Sequence, residues 1–124
     1  MEIRKVKDVV MLRLSSADLA DPVALSEVVE GLLLTDGERK FVADLTAIQT
    51  VTSLQAGTLV TLHLLCYENL AVMKLSGVSE RVKTVLKLIG MEKLMEVHHG
   101  AEIARASFGP PDEPPPALRP KRKA

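Results

Sequence analysis

Aromatic residues are nearly missing from this 124-residue sequence: it has no tryptophan, and Phe41, Tyr67 and Phe108 are the whole set. A core must therefore be aliphatic. The same scarcity argues against nucleic-acid platforms that stack bases on exposed rings. Cysteine is reduced to Cys66, which excludes an internal disulfide and suits a reducing compartment. Net charge is absent too, because sixteen basic residues balance sixteen acidic ones. No global field recruits nucleic acid or anionic lipid. No apolar run approaches the roughly 18–20 residues of a membrane span, so no membrane insertion is expected. The first residues, Met1-Glu2-Ile3-Arg4-Lys5-Val6-Lys7-Asp8, are too charged for a signal peptide's apolar segment. A cytoplasmic location is the expectation.

Phosphate loops are also lacking. There is no Gly-x-Gly-x-x-Gly and no Gly-Lys-Ser/Thr, so neither a dinucleotide nor a P-loop nucleotide has support, and no cofactor is expected. Candidate metal ligands are few: His63 and Cys66 three apart, and the adjacent His98 and His99. None has the close Cys-x-x-Cys type of spacing, so they read as a buried thiol, a helix histidine and a solvated pair, with no metal. No nucleophile signature such as Gly-x-Ser-x-Gly appears, and no second acid marks itself as partner to Asp44. No catalytic residue is assigned, and the chain is not expected to be an enzyme.

What is present is a strand–helix alternation. Val9 to Leu14 is a short strand-forming run, with residues 2–6 pairing beside it as a hairpin. Asp21-Pro22 has the chemistry of a helix start, followed by Leu25, Val28, Val29, Leu32 and Leu33 at helical spacing. Phe41 to Leu45 reads as a strand buried on both faces. A helix is predicted over residues 53–68, with Leu54, Ala56, Leu59, Val60, His63 and Leu64 mainly inward. Residues 71–75 form the next strand. Ser79 caps a helix with Val82, Val85, Leu86 and Ile89 along one face, and Gly90 closes it. Met91 to Val97 reads as a last short strand, and Ala101 to Ala106 as a last helical turn or two. Such alternation implies an α/β sandwich. Residues 1–108 form the domain. Residues 109–124 carry six of the seven prolines and four basic side chains, and read as a disordered, Pro-rich basic tail.

Thr52-Ser53-Leu54-Gln55 has the form of a capping box, which puts Ser53 at the first position of a helix. A helix N-terminus favours anions, so a phosphate on Ser53 is compatible with the fold. Thr52 and Ser53 acting only as caps satisfies the same pattern.

At this segment the chain resembles the STAS family, in its anti-sigma-factor-antagonist form. Those antagonists carry Asp-Leu-Ser-Gly-Val and then Asp-Ser-Ser-Gly-Leu-Gly. Here stand Asp44-Leu45-Thr46-Ala47-Ile48 and then Thr52-Ser53-Leu54-Gln55-Ala56-Gly57. Downstream, Gly77-Val78-Ser79-Glu80-Arg81-Val82 resembles the family's Gly-Val-Ser-Pro-Arg-Val, and Leu88-Ile89-Gly90-Met91 its Leu-rich helix ending in Gly-Leu. Val10 to Leu14 fits its second strand. The likeness covers residues 1 to about 107, and departs from the pattern at Thr52, Leu54 and Gln55.

The resemblance implies a mixed β-sheet covered by α-helices and a role in binding protein. The implied partner is a serine-kinase anti-sigma factor, whose capture frees a sigma factor. The implied phosphoacceptor is Ser53, and the implied docking surface is Thr52, Ser53, Leu54, Gln55 and Gly57. The alternative is a non-switching scaffold subunit of a stress-sensing assembly or of a transporter ATPase complex.

Overall fold

The computed structural model describes residues 1–114. Strand β1 (Glu2–Val6) turns at Lys7-Asp8 into β2 (Val9–Arg13), and the two pair antiparallel with Ile3 opposite Leu12. Lys7 takes the left-handed conformation (φ 57°) that this tight turn needs. The chain continues through α1 (Ser16–Leu19), α2 (Pro22–Leu34), β3 (Lys40–Asp44), α3 (Ser53–Glu68) and β4 (Val72–Ser76). It ends with α4 (Glu80–Leu88), a 3-10 turn (Met91–Lys93), β5 (Val97–His98) and α5 (Ala101–Ala106). The sheet order is β1-β2-β3-β4-β5, and β2 to β5 run parallel. This is the mixed sheet with helices that the sequence led us to expect.

Each parallel crossover moves one strand along in the same direction. A uniform crossover hand then puts α2, α3 and α4 on one face. The core confirms the layer: Val10, Leu12, Phe41, Ala43, Met73 and Leu75 meet Leu25, Val29, Leu33, Leu59, Leu62, Cys66, Val82 and Leu86. On the other face Val9, Met11 and Val42 pack with Ala104 of α5 and with Phe108.

Three expectations need correction. Residues 91–97 do not form one strand. Gly90 closes α4 at φ 74°, the chain makes a 3-10 turn, and only Val97–His98 pairs with β4. Met91 and Met95, both buried, have the i, i+4 spacing of a helical turn, which outweighs their place in an apolar run. The short helix α1 was not expected. Its cap is Ser15, whose hydroxyl accepts from the Asp18 N–H while the Asp18 carboxylate accepts from the Ser15 N–H. Finally, Leu54 and Leu64 of α3 face outward, and the buried side is Ala56, Thr58, Leu59, Leu62 and Cys66. With leucines on every side of α3, the apolar period does not single out one face.

Of the tail predicted from residue 109, residues 110–113 form a turn, and the Asp112 N–H donates to Asp8 Oδ2 at 2.9 Å. Residues 115–124 lie outside the described residues.

Candidate functional site at the start of helix α3

The loops after β2, β3 and β4 lie at the carboxyl edge of the parallel strands. The loop after β3 is held by Asp44, whose Oδ1 accepts from the Thr46 N–H at 2.9 Å and from the Thr46 hydroxyl. Its Oδ2 lies 3.6 Å from Arg13 Nε. Gly77 passes directly over this turn at φ 66°. A Cβ there would stand 2.3 Å from Thr46 Oγ1 and 2.9 Å from Asp44 Oδ1, so only glycine fits. Ser79 then links the next loop: its hydroxyl donates to the Gln49 carbonyl at 2.9 Å and accepts from the Val82 N–H at 3.2 Å.

Helix α3 begins with the predicted capping box. Thr52 Oγ1 accepts from the Gln55 N–H at 3.1 Å, and Gln55 Oε1 accepts from the Thr52 N–H at 2.9 Å. The Gln55 amide also donates to the Ser16 carbonyl at 3.1 Å, and Thr58 Oγ1 donates to the Leu19 carbonyl at 2.7 Å. Two side chains of α3 thus fasten both ends of α1. The Asp18 carboxylate in that cap is partly buried, which works against its charge. The Ser15 N–H and hydroxyl and the N-terminal ammonium outweigh this, and its pKa falls below the usual carboxylate value.

The structure brings Thr52, Ser53, Leu54 and Gly57 to the surface together, with Leu54 63% exposed. Gln55 is half-buried and turned back into the cap. Ser53 occupies the first helical position, where the backbone N–H groups of the first turn lack helical acceptors.

The candidate metal ligands have other surroundings. Cys66 is buried, and burial pushes its thiol up to about 12, far from thiolate chemistry. His63 lies half-buried on α3 with its ring 6.3 Å from that of Tyr67, and burial lowers its pKa. His98 Nε2 contacts Glu96 Oε1 at 3.2 Å, while His99 is exposed. Among the described residues, no group of three or more His, Cys, Asp or Glu is placed to hold a metal ion. No helix among them is long and apolar enough to cross a membrane.

Sequence reasoning missed a polar cluster under α5. Lys74 of β4 is buried, donates to Ser107 Oγ at 2.7 Å, lies 3.4 Å from Glu96 Oε2 and sits 4.3 Å above the centre of the Phe108 ring. Alternation along β4 was the available signal: Met73 and Leu75 face the helix layer, so Lys74 must face α5.

By sequence, no family model and no curated protein matches the chain. Solved structures do match it. A Thermotoga maritima protein assigned as an anti-sigma factor antagonist superposes with a TM-score of 0.71 at 18% identity, covering 86% of this chain and 92% of that one. A chain of the stressosome, a signal integration and transduction hub, gives 0.76 at 18% identity over 86% and 94%. A serine-to-glutamate variant of RsbS from Moorella thermoacetica gives 0.75 at 16% identity over 86% and 92%. Structural neighbours of this chain are thus STAS-domain proteins, and its own fold is the STAS fold.

Proposed function

We propose that the chain is a regulatory protein-binding module of the anti-sigma-factor-antagonist type, catalysing no reaction. It docks a serine-kinase anti-sigma factor at the start of α3 and is switched by phosphorylation of Ser53. The single observation that carries this reading is the placement of Ser53: exposed, first in α3, on a rim stiffened by the Thr52–Gln55 cap and its bond to Ser16. A phosphate there adds about −1.5 to −2 charges. The first turn of α3 tolerates that charge, while a partner seated on Leu54 and Gly57 meets a new anion. Buried Cys66 suits a cytoplasmic setting.

The test is incubation with the anti-sigma kinase and ATP, followed by mass spectrometry and binding of Ser53→Asp. A phosphate on Ser53 is expected, with binding weakened at least tenfold in the variant. An unmodified Ser53, together with unchanged binding of Ser53→Asp, defeats the switch.

A second reading keeps the docking face and drops the switch: a scaffold subunit of a stress-sensing assembly or of a transporter ATPase complex. It is favoured by the likeness in fold to a stressosome chain and by Thr52, which offers a capping hydroxyl where antagonists carry an acid. Affinity capture separates the two. An ATPase or a large assembly supports the scaffold, and a kinase with its sigma factor excludes it.

A further inference from the structure

The outer surface of the helix layer separates charge by helix. Helix α3 is its centre, with an outward ridge of Ser53, Gly57, Thr61, Leu64 and Glu68, all exposed. No charge interrupts α3 before Glu68. The Thr61 hydroxyl is satisfied by donating to the Gly57 carbonyl at 3.1 Å. Nothing lies within 4 Å of the point a Gly57 Cβ would occupy, so another backbone can approach closely there.

On one flank α2 exposes Glu27 and Glu30; on the other, α4 carries Arg81, Lys83 and Lys87. Among the described residues none of these five has an ion-pair partner. Glu80, at the first position, is the one acid within α4, and Glu92 and Glu96 line a pocket with it and Lys83. Apolar side chains are exposed at the far ends of both flanks: Leu34 of α2 at 67% and Leu88 of α4 at 81%.

This pattern is complementary to itself under one symmetry. A two-fold axis parallel to α3 sets α3 against its copy and α2 against the copy's α4, twice. An axis across α3 would instead set acidic α2 against acidic α2. The heights agree as well, because all three helices begin at the carboxyl edge of the strands. At 1.5 Å per residue, Glu30 lies about 12 Å along α2 and Lys87 about 10 Å along α4. Leu34 and Leu88 follow below them.

We infer that the outer face of the helix layer binds a second copy of this chain, in a two-fold dimer with Glu27 and Glu30 opposite the copy's Lys83 and Lys87. The inference stands apart from any phosphorylation of Ser53. It carries one consequence for that rim: a dimer covers the start of α3, so self-association and docking of another protein there exclude each other.

Sedimentation equilibrium over a micromolar concentration series tests it. The expected result is a monomer–dimer equilibrium that added salt weakens. The variants Glu27→Lys/Glu30→Lys and Lys83→Glu/Lys87→Glu each raise the dimer Kd at least tenfold, and mixing them in equal amounts restores dimers, because each opposes the other's sign at both contacts. Thr61→Arg abolishes the dimer with Tm unchanged. A wild-type chain that stays monomeric throughout the series overturns the inference, as do charge-reversed variants that fail to pair when mixed. A dimer unmoved by all three variants would place the contact on another face and overturn it equally.

Discussion

On one face of the sheet, Leu12, Phe41, Ala43 and Leu75 meet three helices in an apolar core with no charged group. On the other, the same strands turn Met11, Val42, Lys40 and Lys74 toward a single six-residue helix. Buried cations are tolerated there because each reaches a partner at the rim. Lys40 Nζ lies 2.6 Å from Asp8 Oδ2, and Lys74 finds Ser107, Glu96 and the Phe108 ring. Ser76 Oγ, on the same face, is buried with no hydrogen-bond partner among the described residues. The thick face supplies most of the burial. The thin face exchanges burial for polar contacts, and a short cover must be held down by side chains.

Truncations measure that difference. Leu59→Ala opens a cavity in the thick layer and should cost about 3–4 kcal/mol in urea unfolding. Phe108→Ala, on the thin face, should cost about 2–3 kcal/mol, because α5 can settle toward the sheet. Equal losses would mean that the two faces contribute alike.

The next effect is electrostatic. Asp8→Asn leaves the ammonium of Lys40, whose side chain is 4% exposed, without its carboxylate, at a cost of about 2–3 kcal/mol near neutral pH. Partial burial of Asp8 works against its charge. The Lys40 hydrogen bond and the Asp112 N–H outweigh this and hold its pKa below the ordinary value. A depressed carboxylate contributes stability that is full above its unfolded value of about 3.9 and is lost as pH falls through the folded value. The gap between wild type and Asp8→Asn should therefore close on acidification. A gap constant down to acid pH would show that Asp8 acts through packing alone.

The smallest effect is expected at Lys74. Lys74→Met keeps the stem over Phe108, leaves Glu96 in water and lets the Ser107 hydroxyl keep its bond to the Ala104 carbonyl. Stability should change by less than about 1 kcal/mol. A loss as large as that of Asp8→Asn would show that Lys74 anchors α5.

The legible elements were those with local signals. Ser79 and Gly90 bracket α4, Pro22 opens α2, and Thr52 with Gln55 marks the start of α3, each through hydrogen bonds within a few residues. Helix α1 was harder to see because its four residues offer no apolar period and it relies on Gln55 and Thr58, 39 positions away. The inward face of α3 was misread because leucine recurs on all its sides. Alternation along β4 marks the side to which Lys74 points, but not that α5 and Phe108 cover it, since lysine in a short strand serves equally well at a surface.

The amino-acid sequence by itself determined the order of β1 to β4 with α2, α3 and α4 between and after them, the caps of those three helices, and the position of Ser53 at a helix start, because those follow from interactions between near neighbours. Tertiary structure alone decided which side of α3 is buried, how α1 is fastened to it, and that acidic α2 and basic α4 flank a ridge without charge before Glu68. Those features depend on residues brought together across the sheet, where packing and not local propensity selects the arrangement.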